Sequence, residues 1–267
     1  MKKRLDVAIF ENGLCESREK AKALIMAGLV YVNGQKADKA GTGVGTEDKL
    51  EVRGNHCPYV SRGGLKLEKA LSVFSIDPRE KNAIDVGASS GGFTDCLLQN
   101  GAKHVYAVDV GYGQLAYSLR CDERVSVFEK TNFRNMPLEA IPQPLDLAVM
   151  DVSFISITKL AEHLKEFLKP DAHMMFLIKP QFEADRAMVG KKGVISDEKA
   201  HVSIVEKTLM TLLEKGYYIK ELDFSPVKGP KGNIEFLSHY TFAPDDLAGD
   251  ISSLVRETVR RAHEELK

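Results

Sequence analysis

The chain of 267 residues has no tryptophan, no Cys-x-x-Cys pair, and no apolar run near the roughly 18 residues of a membrane span. The missing tryptophan decides nothing. The cysteines, Cys15, Cys57, Cys96 and Cys121, are scattered, so free thiols in a reducing cytoplasm are the simplest reading and no zinc site is expected. The start, MKKRLDVAIFENGL, lacks the long apolar stretch of a secretory signal. Lys and Arg number 37 against 38 Asp and Glu, a formal net charge of −1. No global basic excess advertises nucleic acid, so an RNA-binding surface has to be local. A hydrophobic share of 43% and a charged share of 28% are ordinary for a globular protein. At this length one large domain or two domains are expected.

What the chain does have is the segment AIDVGASSGG, from Ala83 to Gly92. An apolar run carries Asp85 near its end and breaks into Gly87, Ala88, Ser89, Ser90, Gly91 and Gly92. A helical pattern follows from Phe93, and a second apolar run, HVYAVD, ends in Asp109. Strand, glycine loop, helix, strand and terminal acid make a nucleotide-binding βαβ unit. The glycines admit a ligand close to the backbone, the helix start presents N–H groups, and the strand-end acid accepts from ribose hydroxyls. The loop reads G-x-x-x-G-G, not the G-x-G-x-x-G of dinucleotide folds. An acid beside it repels pyrophosphate and suits the ammonium and sulfonium of S-adenosylmethionine, the expected cofactor. The competing reading is a tight βα turn without a ligand, which the coincidence of loop, helix and acid disfavours.

The pattern changes along the chain. Residues 1–58 are short and turn-rich, with helical stretches in LDVAIFENGL and SREKAKALIMAG, Ser17 as N-cap of the second, Gly28 as its stop, and a hairpin turn at Asn33-Gly34. They hold ten Lys and Arg against eight Asp and Glu, six of the ten within the first 22 residues. Residues 59–80 link the parts through a short amphipathic helix bearing Leu67, Ala70, Leu71 and Phe74, with Gly63 and Gly64 as a hinge or a helix start and Asp77-Pro78 at its end. From 81 to 267 strands (83–86, 104–109, 125–128, 145–150, 174–178, 217–224, 234–241) alternate with helices (93–100, 113–120, 158–168, 198–215, 248–265). This alternation predicts a Rossmann-like α/β fold with a mostly parallel sheet covered on both faces. The last two strands are joined by SPVKGPKGN without a helix, so the final strand is expected to be antiparallel.

Ligands of such sheets bind outside the carboxyl ends of the strands. Asp151 ends PLDLAVMD, Lys179 ends HMMFLIK, and Glu235 lies in GNIEFL at the start of the antiparallel strand. Lys66, on the linking helix, is a fourth candidate, with Lys69 as a rival one turn away. Two lysines and two carboxylates suit the activation of a sugar hydroxyl, since a lysine can take or stabilise the proton while the acids orient it. Each has a blander reading: solvated lysines, a helix cap at Asp151, an edge-strand charge at Glu235.

Two stretches resemble known families. From Ser17 to Gly34 the pattern S-R-x-x-A-x-x-L-I-x-x-G-x-V-x-V-N-G is similar to an S4 RNA-binding domain of small α+β type. The resemblance implies contact with structured RNA through Arg4, Arg18, Lys20 and Lys22, joined by Arg62 of the linker. The whole chain resembles the TlyA/hemolysin A family, an S4 domain fused to an FtsJ-like (RrmJ-like) ribosomal RNA methyltransferase, through SRGGLKL, DVGASSGGFTDCLL, DVSFISI, IKPQFE and GNIEFL in that order. Carried over, the family's Lys-Asp-Lys-Glu tetrad falls on Lys66, Asp151, Lys179 and Glu235, which selects Lys66 over Lys69. S-adenosylmethionine is then expected on Asp85, Gly87, Ala88, Ser89, Ser90, Gly91, Gly92, Phe93, Asp109 and Asp151. The implied reaction is 2′-O-methylation of cytidine in ribosomal RNA or ribosomal subunits, in the cytoplasm. A membrane-active hemolysin and a non-catalytic RNA-binding factor are the alternatives. The C-terminal helix, with Ile251, Leu254, Val255, Val259 and Ala262 on one face, is too narrow in its apolar stripe and too charged at its borders for insertion, and is expected to pack on the sheet.

Overall fold

A computed structural model describes residues 2–15, 17–26, 28–52, 57–185, 188–190, 193–229, 231–244 and 250–266. The chain divides into two compact units, Met1–His56 and Cys57–Lys267.

The first unit contains β1 (Lys3–Arg4), α1 (Leu5–Glu11), α2 (Arg18–Met26), β2 (Val30–Val32), β3 (Gln35–Lys36), β4 (Gly43–Val44) and β5 (Leu50–Val52). The Ser17 hydroxyl accepts the Lys20 N–H at 3.1 Å and caps α2, and Gly28, at φ +68°, ends it. Asn33 and Gly34 both take left-handed φ, 51° and 80°, which makes the two-residue turn between β2 and β3. Leu5 and Ile9 of α1, Ala21 and Ile25 of α2, and Val30 are fully buried against one another, four residues apart on each helix.

The second unit contains α3 (Gly63–Val73), β6 (Asn82–Val86), α4 (Gly92–Gln99), β7 (His104–Val108), α5 (Tyr117–Arg120), β8 (Val125–Phe128), β9 (Leu145–Met150), α6 (Thr158–Lys165), β10 (Leu168–Ile178), α7 (Pro180–Glu183), α8 (Glu198–Glu214), β11 (Tyr218–Phe224), β12 (Phe236–Thr241) and α9 (Ile251–Glu265). Its seven-stranded sheet has the order β11-β12-β10-β9-β6-β7-β8. All pairings from β10 to β8 are parallel, and β12 runs antiparallel to both β10 and β11. Consecutive residues feed opposite apolar layers: Ile84, Tyr106 and Phe176 face one core, Ala83, Val105 and Leu177 the other. Helices cover both faces, so the strands read as nearly unbroken apolar runs. Helix α9 buries Val255, Val259 and Ala262 in the first layer. The expected residues 248 and 249 of that helix lie outside the described residues.

Two expected elements differ. The helix expected over 113–120 is only Tyr117–Arg120. The Glu129 carboxylate accepts the Gln114 N–H and pairs with Arg120, holding the preceding stretch as a loop. The helix expected over 158–168 stops at Lys165, and β10 begins at Leu168, six residues early. Its pairing with β9 shifts register between Leu168 and His173, an irregularity that accommodates Pro170.

Candidate active site

The strand order reverses between β6 and β9, and a cavity of about 710 Å³ opens at their carboxyl ends. Glycines bring α3 there. A Cβ on Gly92 would lie 2.9 Å from the Gly64 nitrogen, so the starts of α3 and α4 approach backbone to backbone. Gly63 and Gly64 begin α3, and a Cβ on Gly64 would strike the buried Tyr59, 2.2 Å from its Cγ. One turn on, Lys66 points into the cavity, its side chain 10% exposed.

Lys66, Asp151, Lys179 and Glu235 converge. The Lys66 Nζ lies 2.6 Å from Glu235 Oε2 and 3.8 Å from Asp151 Oδ2; the Lys179 Nζ lies 2.5 Å from Asp151 Oδ1 and donates to Ser153 Oγ at 3.1 Å. Charges alternate along this chain of four. Burying two ion pairs costs desolvation, so stability alone is a poor reason for the arrangement. Lys69 is elsewhere. Its Nζ donates to the Phe224 carbonyl at 2.7 Å, pairs with Asp223 at 2.9 Å and sits over the Phe224 ring.

The glycine loop forms one wall. Asp85, Gly87, Ala88, Ser89, Ser90, Gly92, Phe93 and Asp151 line the cavity. Gly91 does not. It turns at φ +92°, where a Cβ would strike Leu119, so it serves the packing of α5. Asp85 is fully buried, and its Oδ2 accepts both the Thr94 N–H and the Thr94 hydroxyl, at 3.0 and 2.7 Å. The N–H groups at the start of α4 are thus partly taken by the protein itself. Its Oδ1 has no hydrogen-bond partner. Burial pushes the Asp85 carboxyl up to about 7; the Thr94 bonds oppose this, and the Asp151 charge adds to it. Asp109 lines an adjoining cavity of about 360 Å³, shared at Gly87, Ser89, Asp151, Ser153 and Phe154. Its oxygens accept the Ser89 and Gly111 N–H groups at 2.8 and 2.6 Å.

S-adenosylmethionine fits these residues. The orphaned Asp85 oxygen suits the ammonium of the amino-acid end. The second cavity, with Val110, Phe133, Ile155, Asn132 and Asp109, offers apolar walls and polar groups for the adenosine end. Val110, Asn132 and Phe133, which line this second cavity, were not legible as such, since ordinary side chains carry no spacing signal. Phe154 was also missed. It is 91% exposed at φ +67°, on the rim of both cavities, and its ring lies 5.0 Å from that of Phe182. A phenylalanine held in left-handed backbone and exposed to solvent is an outlier for packing. The Glu183 carboxylate braces this rim by accepting from Ser156 Oγ at 2.6 Å and Ile157 N at 2.9 Å.

Of the expected RNA-contacting residues, Arg62 lines the larger cavity. Arg4 and Arg18 both pair with Asp6 in the first unit, and Lys22 is exposed on α2, where Lys20 also lies.

The model of the FtsJ-like methyltransferase family matches residues 59–242, and that of the S4 domain matches residues 3–50. The 16S/23S rRNA (cytidine-2′-O)-methyltransferase TlyA of Mycobacterium tuberculosis is 42% identical over 234 residues, 87% of each chain. Hemolysin A of Brachyspira hyodysenteriae is 44% identical over 89% of this chain and 99% of its own. A solved chain from Streptococcus thermophilus is 43% identical, with a TM-score of 0.77 over 99% of this chain and 96% of that one.

Proposed function

As a member of the FtsJ-like methyltransferases of the TlyA/hemolysin A family, with an S4 domain before its methyltransferase domain, this chain is an enzyme, and we propose that it methylates a ribose 2′-hydroxyl of ribosomal RNA, at cytidine, with S-adenosylmethionine as donor. The observation that carries this reading is the Lys66–Asp151–Lys179–Glu235 constellation beside the glycine loop at the strand ends. S-adenosylmethionine supplies, when bound, an electrophilic methyl group on a sulfonium. The chain's task is to hold the 2′-oxygen in line and move its proton.

Lys179 and Lys66 are the donors within reach of an incoming ribose oxygen. Lys179 would take the hydroxyl proton of the ribose while its nitrogen yields one of its own to Asp151, whose Oδ1 lies 2.5 Å away. Lys66, anchored by Glu235, supplies a fixed positive charge toward the developing alkoxide. The Phe154 and Phe182 rings at the mouth suit stacking of the target base, and Arg62 suits a neighbouring phosphate.

Transfer of tritiated methyl from S-adenosylmethionine to ribosomal subunits, followed by mapping of the modified ribose, tests the proposal. Label on protein, or on a base in place of a ribose, overturns it. The hemolysin name of the Brachyspira hyodysenteriae relative and of the solved Streptococcus thermophilus chain carries a different reading. Among the described residues no helix is long and apolar enough to cross a membrane, and the apolar stripe of α9 is spent on the core. Liposome leakage caused by native but not by heated protein would revive that reading.

A further inference from the structure

The first unit holds a buried carboxylate that the methyl-transfer chemistry does not use. Asp6, in the first turn of α1, is 0% exposed. Its Oδ1 accepts from Arg4 Nε at 3.0 Å, and its Oδ2 accepts from Arg4 Nη2 at 3.3 Å and Arg18 Nη2 at 3.2 Å. One acid thus ties the strand before α1 to the start of α2. The two arginine side chains remain 55% and 48% exposed. Hydrogen bonding from Arg4, the larger influence, and from Arg18 holds the Asp6 carboxyl below its usual range against the opposing effect of burial. Asp6 engages two of Arg4's three guanidinium nitrogens and one of Arg18's, leaving the other edges of both forks turned from it.

We infer that Asp6 is a positioning residue. It fixes Arg4 and Arg18 side by side as a two-pronged clamp for adjacent phosphates of an RNA backbone. The inference rests on the reading of the S4 domain as an RNA-contacting unit. An exposed arginine normally surrenders rotamer freedom when it binds a phosphate. Here both guanidiniums are oriented before RNA arrives, and a planar fork presents paired N–H donors to a phosphate where an ammonium presents a point charge. A second role for Asp6, as a charge that merely tempers the basic face, makes the opposite prediction. Removing it then raises the local positive charge and tightens binding.

The test uses the full-length protein and ribosomal subunits. Asp6→Asn keeps the side-chain volume and removes the charge. Binding should weaken about tenfold, the consequence of losing one well-placed charge-assisted contact. S-adenosylmethionine affinity should not change. If the acid only tempers charge, Asp6→Asn binds RNA as tightly as the parent or more tightly, with a salt slope steeper by about one counterion, and the inference fails. If Asp6→Asn disturbs folding of the unit, as read by thermal melting, Arg4→Lys and Arg18→Lys carry the test, because they keep Asp6 paired and the net charge intact. Each should lose about tenfold in affinity with little change in salt slope; lysine variants that bind like the parent overturn the clamp. Arg4→Ala and Arg18→Ala with no effect on RNA binding would instead overturn the RNA reading of this unit.

Discussion

At the residue scale, Lys179 and Asp85 make the sharpest predictions. On the proposed reading Lys179 takes the ribose proton, so Lys179→Ala should lower kcat by about 10²–10⁴ with S-adenosylmethionine affinity nearly unchanged. Lys179→Arg should not rescue it, because a guanidinium does not surrender a proton near neutral pH. An arginine variant with near-normal turnover would reduce Lys179 to a positioning charge. Asp85 gives a pH signature. Burial raises its carboxyl from 3.8 to about 7, so between those values the folded protein holds a proton that the unfolded chain has released. This group's contribution to stability therefore falls as pH rises through that window, and Asp85→Asn should flatten the melting profile there. An ammonium beside the orphaned Oδ1 favours the carboxylate. S-adenosylmethionine should accordingly bind up to about tenfold more weakly at pH 6 than at pH 7.5, with proton release below about pH 7. Calorimetry in two buffers of different ionisation enthalpy measures that release, and its absence would separate Asp85 from the cofactor.

At the element scale, the site is built where loops and helix starts meet, and glycines set the spacing. Gly229, in the loop between β11 and β12, faces the Glu235 carboxylate closely: a Cβ there would lie 2.5 Å from Oε1. Glu235 is 1% exposed and held by Lys66, so its head group has little room to yield. Gly229→Ala should therefore displace Glu235 from Lys66 and lower kcat by tenfold or more, on the order of 1.4 kcal/mol in the barrier, while leaving the S4 unit's RNA affinity intact. Steady-state kinetics beside RNA-binding isotherms separates the two effects. The linking helix shows how far such spacing was readable. SRGGLKL left Gly63 and Gly64 as a hinge or a helix start, and only the tertiary packing, with a Cβ on Gly64 2.2 Å from Tyr59 Cγ and one on Gly92 2.9 Å from the Gly64 nitrogen, shows why small residues stand there. Likewise Lys66 and Lys69 are equivalent by periodicity, and it is the distant partners Glu235 and Asp223 that separate them.

At the scale of the whole molecule, the chain has two compact units, with local basic residues in the first and the crevice in the second. A chain beginning at Cys57 keeps Tyr59, which is buried and donates to Glu68 at 2.9 Å. Such a truncation should bind S-adenosylmethionine normally and lose most of its affinity for ribosomal subunits, and the affinity of the full chain should fall steeply with salt. A truncated protein that methylates subunits at the full rate would show that the S4 unit is dispensable for recognition.

The amino-acid sequence determined the alternation of strand and helix, the glycine loop between two acid-ended strands, and the order of motifs, because these are properties of neighbours along the chain. Nearly unbroken apolar runs and a G-x-x-x-G-G turn are written in consecutive residues. Tertiary structure alone decided which charges touch. Lys66 and Glu235 are 169 positions apart and meet at 2.6 Å because α3 and β12 both begin at the crevice of one sheet. It also decided that Asp85 spends one oxygen on Thr94 and leaves the other bare, and that Phe154 stands in solvent over Phe182. No local pattern specifies an orphaned atom or an exposed ring, since both are defined by what the rest of the chain does or does not bring to them.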